Sequence, residues 1–326
     1  HDRHWPSTLS STIVTGKSRR PMSVMLSKRA NVFYLEHVRI KQKDGRIVWI
    51  NDSLSDFAKE FEPYYNLPDK NTVFIMIGKG SSITDAAIRL LSESGVVIGF
   101  SGSGGTPLLS AVDPVFMLPQ SEYRPTEYMQ KWCEKWFVES KRIEMAKCFL
   151  SYRIDQTIKS WSQMSLTVPS ESIALFKKSI ERSENTMELL ISEAKWAKSL
   201  YRYLANLYDL NDFRRAEGKM VKSSKEEKVN SYLDHGNYMG YGYATATLYT
   251  LGISFAFPLL HGKTRRGALV FDVADLFKDA YIMPLAFEYG VKKSKDSEFR
   301  AAVIKYCNDK KLLDNTFSFV KSVAVS

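Results

Sequence analysis

Short apolar runs and β-forming stretches with polar interruptions mark the first hundred residues, whereas helical spacing of apolar positions dominates the region beyond the prolines. From Ala30 to Ile40 β-forming residues are interrupted by polar ones, Lys43-Asp44-Gly45-Arg46 supplies a turn, and Ile47 to Ile50 returns, which predicts a hairpin. Val73 to Ile77 and Val96 to Phe100 are continuous apolar runs of strand length. Between them Ser82 or Thr84 can cap a helix that runs to about Glu93 and that Gly95 terminates. A β-rich region with one embedded helix is therefore predicted. Two glycine clusters lie in it. Gly78-Lys79-Gly80-Ser81 has Gly where a phosphate-binding loop needs Ser or Thr after its Lys, and Gly102 to Pro107 lacks the third Gly of a dinucleotide fingerprint and runs into proline. Both read as turns.

Pro107, Pro114, Pro119 and Pro125 punctuate the next stretch and mark a domain boundary near residue 118. Beyond it, Thr126 to about Trp161 shows helical spacing, with Tyr128, Trp132, Trp136, Ile143 and Phe149 interleaved with Lys131, Lys135, Lys141, Arg142, Lys147 and Arg153. That pattern is a core stripe with a solvated basic face, or a nucleic-acid-binding face. A second long helix is predicted from Ser172 to about Leu207. Its stripe of Leu189, Ala197, Leu200 and Leu204 includes Glu193. An ionised carboxylate in such a stripe is costly unless it is paired with a cation or bound to metal, so Glu193 is protonated, salt-bridged to a neighbouring helix or a metal ligand. Residues 217–230 read as a charged, exposed loop. Asp234-His235-Gly236-Asn237 then precedes a helix from about Tyr238 to Leu260, and a final helix lies near Phe299 to Leu312. The longest apolar run, Leu248 to Leu260, contains Pro258 and is too short to span a bilayer, so it reads as buried helix and no membrane span is expected.

The stretch from His261 to Met283 concentrates the chemistry. As one helix from Val270 to Met283, it places Asp272, Asp275 and Asp279 on one face, beside an apolar face of Phe271, Ala274, Phe277 and Tyr281. Lys263, Arg265 and Arg266 form a basic turn between the imidazole and that helix, and acidic groups beside a basic turn suggest a metal site that handles phosphates. His1 and His4 lie near the start, His37 in a predicted strand and His235 in a turn, so His261 is the histidine next to clustered carboxylates. Glu193, His261 and Asp275 are read together as metal ligands, with Asp272 in support and Asp279 in a solvent or structural role. Mixed carboxylate and imidazole donors suit Mg2+ or Mn2+ better than a closed zinc site.

Composition narrows the class. A net charge of +10 favours an anionic partner such as nucleic acid or an anionic membrane surface. Cys133, Cys148 and Cys307 are odd in number and widely spaced, so neither a disulfide framework nor a zinc knuckle is indicated and a reducing compartment fits. Gly99 to Ser103 places its glycine one position early for a nucleophile elbow, which disfavours a Ser–His–Asp hydrolase. Metal-assisted phosphodiester chemistry is preferred.

At these residues the chain resembles the integrase subunit of the CRISPR adaptation complex, the first-numbered CRISPR-associated protein, in its subtype I-F form. The resemblance covers about residues 23–326 and rests on Ser27 to Asn31, Gly80 to Thr84, Pro119 to Tyr128, Glu193 to Tyr201, Asn237 with Gly240 to Tyr243, His261 to Gly267 and Phe271 to Asp275. Residues 1–22 match nothing in it and read as a basic tail or cloning remnant. It implies an α+β chain in which a β-rich N-terminal domain, 23–118, serves dimerisation and DNA contact. An all-α catalytic domain, 119–326, follows. The implied metal ligands are Glu193, His261 and Asp275, with Asp272 and Lys278 accessory. The implied activity joins the 3′-hydroxyl ends of a short protospacer duplex to the leader–repeat junction of a CRISPR array by transesterification. A homodimer, a second-numbered CRISPR-associated partner fused to a helicase–nuclease, and a prokaryotic cytoplasmic location are also implied. Two other readings remain open: a metal-dependent nuclease acting on branched or linear DNA in repair, and a DNA-binding scaffold with a degenerate site.

Overall fold

The computed structural model describes residues 31–51, 64–102, 115–118, 126–210, 213–216, 224–262 and 267–326. The segment predicted as one strand from Ala30 to Ile40 divides at Glu36-His37, where His37 takes a left-handed φ of 55°. Strand β1 (Asn31–Leu35) precedes the break, and β2 (Val38–Lys43) follows it in a different sheet. The predicted hairpin is therefore β2 with β3 (Arg46–Asn51), paired in register from Lys43↔Arg46 to Val38↔Asn51. Asp44 and Gly45, both at positive φ, make the two-residue turn that this twist requires.

The remaining strands are β4 (Tyr65–Leu67), β5 (Thr72–Ile77), β6 (Ser82–Ile83), β7 (Val97–Phe100) and β8 (Val115–Met117). They complete two four-stranded sheets, ordered β1-β5-β7-β8 and β4-β3-β2-β6. In the first sheet β1, β5 and β7 run parallel and β8 antiparallel. Helix α1 (Asp85–Glu93) begins where Thr84 accepts from the Ala87 amide and ends before Gly95, at φ 74°, as its caps predict. The glycine cluster at 78–80 is a turn, as expected, whereas most of 102–107 and the proline-marked boundary lie outside the described residues.

Every residue of β5 is buried, because both faces of the first sheet are covered. Ile75 and Ile77 join Ile40, Ile47, Leu67 and Leu91 in a core between the sheets and α1. Phe74 and Met76, one residue out of phase, join the core of the helical region instead. The two regions thus share apolar packing.

Each long predicted helix is broken once. The first becomes α2 (Glu127–Trp136) and α3 (Glu139–Gln163). The second becomes α4 (Ser170–Arg182) and α5 (Thr186–Leu207), with Asn185 capping α5 by accepting from the Glu188 amide. Helical periodicity continued through both breaks, and only the Asn185 cap marked one of them. Helix α6 (Lys225–Leu251) corrects three readings together. It starts inside the segment read as a charged loop, where Ser224 and Glu227 form a capping box. It carries His235 in a buried turn of helix, and it stops at Gly252, φ 69°, instead of continuing to Leu260. The segment after Gly252 is irregular yet partly buried, and two of its carbonyls are satisfied by indoles: Trp132 Nε1 donates to Phe257 O at 3.1 Å and Trp136 Nε1 to Pro258 O at 2.6 Å. These bonds fix the path into His261.

The helix predicted at 270–283 is longer and interrupted. Helix α7 (Ala268–Phe277) passes through a π turn at Lys278–Ile282 into α8 (Met283–Val291), and α9 (Asp296–Asp309) and α10 (Leu312–Val325) follow, the last unanticipated. No helix among the described residues is long and apolar enough to cross a membrane. Helix α6 lies against α7, α8 and the first sheet. At Gly242 it meets the Phe74 ring so closely that an added Cβ would overlap the ring. Phe74 is 1% exposed, and its ring also packs against Gly99 and Phe116. Gly242→Ala should therefore lower stability despite its better helix propensity, by about 1–3 kcal/mol from overpacking offset by about 1 kcal/mol from propensity. Chemical denaturation checks this, with Phe74→Leu in the same chain expected to recover part of the loss.

Candidate active site

The π turn organises the site. Widening the helix frees backbone carbonyls, and α3 takes two of them: Trp161 Nε1 donates to Asp279 O at 2.8 Å and Ser160 Oγ to Ala280 O at 2.5 Å. The α7–π segment is thereby held against α3. Three aspartates now face different partners.

Asp272 has a fully buried side chain and accepts from three successive backbone amides, Leu259 at 2.6 Å, Leu260 at 3.3 Å and His261 at 3.2 Å. It also meets His261 Nδ1 at 2.7 Å. A carboxylate can only accept there, so it fixes the proton on Nδ1 and leaves Nε2 to face Asp275, whose Oδ2 is 3.8 Å away. Asp275 is also held by Lys278, Nζ to Oδ1 at 2.5 Å.

Asp279 turns inward to Arg153. The guanidinium is 3% exposed and lies 2.6 Å from Asp279 Oδ2 through Nε, 2.7 Å from Glu193 Oε1 through Nη1 and 3.9 Å from Asp275 Oδ2. Trp196 Nε1 adds a second donor to Asp279 at 2.9 Å. Asp279 is therefore structural and not solvated, and the shared acidic face of one regular helix is replaced by three separate environments. Glu193 is salt-bridged to a neighbouring helix, one of the states its place in the stripe allowed.

The ionisation of the basic groups follows. Burial opposes the charge of Arg153, but Asp279, then Glu193 and Asp275, more than offset it and raise its pKa well above the ordinary arginine value. Burial likewise opposes Lys278, and Asp275 outweighs it and raises the ammonium pKa. For His261 burial lowers and the Asp272 hydrogen bond with the Asp275 charge raises, leaving the imidazole above its usual value. Asp275 is pushed up by burial and pulled further down by Lys278, Arg153 and His261, so its pKa is lowered.

These groups line a cavity of about 220 Å3 that includes Arg153, Glu193, His261, Asp275 and Lys278. The predicted residues Glu193, His261, Asp272, Asp275 and Lys278 are thus brought together, although Asp272 stands behind His261. Lys263, Arg265 and Arg266 lie outside the described residues.

A family model described as CRISPR associated protein Cas1 matches residues 38–308. The chain belongs to the Cas1 family. It is 37% identical over 316 residues to a CRISPR-associated endonuclease Cas1 of Pseudomonas aeruginosa, covering 93% of this chain and 95% of that protein. Against the endonuclease Cas1 of Pectobacterium atrosepticum the identity is 38%, over 93% and 94% of the two chains. Solved structures share the fold. A Cas1 protein from Thermotoga maritima superposes with a TM-score of 0.73 at 17% identity, over 90% and 96% of the chains. A Cas1–DNA complex gives 0.66 at 18%, over 91% and 92%. A casposase bound to integration product gives 0.62 at 16%, over 89% and 82%. The α+β order of a β-sheet region followed by a helical region is that of Cas1 structures.

Sequence reasoning about this Cas1 chain missed the residue at the centre of its site. Arg153 was grouped with solvated cations, yet Phe149, Arg153, Thr157 and Trp161 recur every four residues and all are buried. The spacing that singled out Glu193 in α5 therefore singles out its partner in α3. Asn237 and Tyr241, to which the sequence assigned no role in the chemistry, also line the cavity, as does Arg215. Arg153→Met should cost about 3–5 kcal/mol near neutral pH, because it leaves buried carboxylates uncompensated. Equilibrium denaturation measures this, and adding Asp279→Asn should restore part of the stability.

Proposed function

We propose that this Cas1 chain is a divalent-metal-dependent DNA integrase that joins 3′-hydroxyl ends of a short duplex to a CRISPR array. The observation that carries the reading is the paired aim of His261 Nε2 and Asp275 into the cavity that Glu193 enters from α5. Among the described residues no three acidic, histidine or cysteine side chains are already gathered as a metal cage, since Arg153 engages Glu193 and Lys278 engages Asp275. The donor set nevertheless fits a hard dication. Glu193, Asp272, Asp275 and Asp279 oppose two permanent cations, Arg153 and Lys278, so with neutral His261 the cluster carries a formal excess of two negative charges. Oxygen donors with one imidazole suit Mg2+ or Mn2+.

Glu193, His261 and Asp275 would hold the ion, and Asp272 orients the imidazole from behind, the arrangement that supports metal-bound histidines. When bound, the ion polarises the scissile phosphate and offsets charge on the leaving oxygen. Transesterification then forms one bond from phosphorus to the incoming 3′-oxygen and breaks one to the outgoing 3′-oxygen. Lys278 remains an ammonium beside Asp275, so it serves as a fixed cation toward the phosphate and not as the base. Lys263, Arg265 and Arg266, three positive charges between His261 and α7 in sequence, would meet flanking phosphates. The family resemblance extends the reading to a homodimer acting on protospacer and leader–repeat DNA with the second-numbered CRISPR-associated protein, fused in this subtype to a helicase–nuclease. The solved Cas1–DNA complex and the casposase bound to integration product support DNA as substrate and joining as reaction.

A second reading, a nuclease on branched or linear DNA, is favoured by the name endonuclease that the curated relatives carry. Joining of a duplex to a supercoiled array, scored against cleavage alone, separates the two. Asp275→Ala is expected to lose divalent-dependent joining while still binding duplex DNA. Full joining by that variant would sink the assigned metal role. Asp272→Asn should weaken Mn2+ binding about 10–100-fold, read by calorimetry on the folded protein, because the imidazole loses its fixed tautomer.

A further inference from the structure

We propose that Asn237 is a further catalytic residue of this chain, whose side-chain amide donates a hydrogen bond to a non-bridging oxygen of the phosphate under attack. The proposal rests on the phosphodiester reading above.

Leu233, Asn237 and Tyr241 recur every four residues on α6 and form the stripe by which that helix lines the cavity. Within the helix the backbone N–H and C=O groups of Asn237 are committed to its neighbours along the chain, so what it adds to the wall is its carboxamide. Gly236 and Gly240 lie on the adjoining face, against the π turn. An added Cβ at Gly236 would overlap Ile282, and one at Gly240 would stand 3.0 Å from Ile282 and 3.7 Å from Lys278 Cγ. Gly236-Asn237-Tyr238-Met239-Gly240 is a poor helix-forming sequence, since asparagine and glycine both rank low. The close approach of α6 to the π turn accounts for the glycines. It does not account for the asparagine.

Asn237 differs from the other polar side chains of the wall in what it holds. Arg153 and Lys278 are tied to the carboxylates, and His261 is tied to Asp272. Arg215 is tied to Asp234 and Tyr201, and Tyr241 lies under the Lys278 ammonium, 5.3 Å from Nζ to ring centroid. The half-buried carboxamide of Asn237, by contrast, has no hydrogen-bond or ionic partner among the described residues. It can therefore receive a ligand without breaking an existing contact.

Charge decides which ligand that is. A carboxamide presents both donors and an acceptor, so an anionic oxygen and a cation each have a group to meet. The Lys278 side chain reaches α6 at Gly240 and Tyr241, one turn from Asn237, and its ammonium repels a cation and attracts a phosphate oxygen. The Nδ2 donor is thus the end the ligand uses. A neutral amide adds little to the attraction of the resting phosphate. Its hydrogen bond strengthens as negative charge gathers on the non-bridging oxygens in the transition state.

The test uses the full chain with Mn2+ and a synthetic leader–repeat duplex whose reacting phosphate carries one sulfur in place of either non-bridging oxygen. Mn2+ accepts sulfur more readily than Mg2+ does, so the isomer with sulfur toward the ion is tolerated and the one with sulfur toward Asn237 is slowed. Absence of that preference in the unsubstituted chain overturns the proposal, whatever any variant does. Asn237→Ala should lower kcat for joining or cutting the all-oxygen duplex about 100–1,000-fold, the loss typical of one such donor. Its KM, duplex affinity and calorimetric Mn2+ affinity should match those of the unsubstituted chain. The variant should also lose the isomer preference, because the contact that sulfur weakens is already gone. A fall in Mn2+ affinity would make Asn237 a metal ligand, and earlier melting with kcat and isomer preference kept would make it a packing residue. Either result overturns the proposal, as does a raised KM with kcat unchanged, the mark of a ground-state contact. Should the alanine variant not fold, the near-isosteric Asn237→Leu decides by the same kcat and isomer readings. An unsubstituted chain inert on every DNA with Mn2+ overturns the phosphodiester reading itself, whereas an active one with an unaltered Asn237→Ala profile overturns this inference alone.

Discussion

The site depends on one buried cation. From α3, Arg153 meets carboxylates of α5, of α7 and of the π turn that follows it, so a single guanidinium ties three stretches of chain that are far apart in sequence. Such an ion cluster contributes little net stability compared with apolar packing, because desolvation offsets most of the Coulombic gain. Its consequence is geometric. Once α3 presents Arg153, only arrangements that bring Glu193 and Asp279 to it avoid an uncompensated buried charge, and those arrangements converge on the cavity.

The π turn gives that geometry its second constraint. A regular helix through 278–282 would have satisfied its own carbonyls and kept the aspartates on a common face. The wider turn hands the Asp279 and Ala280 carbonyls to Trp161 and Ser160. Asp279 is thereby committed to Arg153, while Lys278, three residues after Asp275, closes over that carboxylate from within the same element. Three aspartates that look equivalent along the chain end in three roles. One orients a histidine, one faces the cavity, and one anchors the helix to its neighbour.

Local signals were legible in the sequence wherever a single residue dictated backbone geometry. Thr84, Asp44-Gly45 and Gly95 each acted where their chemistry demanded. The site was legible at Glu193 because a carboxylate in an apolar stripe must find a partner, and at His261 because its neighbours are acidic. What failed was continuity. Periodicity ran unbroken through Val138 and Ser183, since a turn that preserves the buried face leaves no trace in it. The start of α6 was hidden by charge, for Lys225 to Lys228 are all charged and exposed or half-buried until Val229 reaches the core. Arg153 was hidden by its charge: a basic residue beside an apolar stripe reads as part of the solvated face, although its spacing from Phe149 and Trp161 places it within the stripe.

The charge distribution adds a condition on when the site can work. The chain carries +10 overall, which draws DNA toward it, whereas the linked cluster of Glu193, Asp272, Asp275 and Asp279 outnumbers the two permanent cations tied to it, Arg153 and Lys278. On the proposed reading, a phosphate attracted to the surface is therefore repelled at the reaction space until a dication cancels the excess. Metal and scissile phosphate then bind with positive coupling, each favouring the other by the same free energy. On the same reading Arg153 limits that coupling, because it holds Glu193 through Oε1 and so competes with the ion for that carboxylate. Its bond from Nε to Asp279, at 2.6 Å, fixes the guanidinium independently of Glu193.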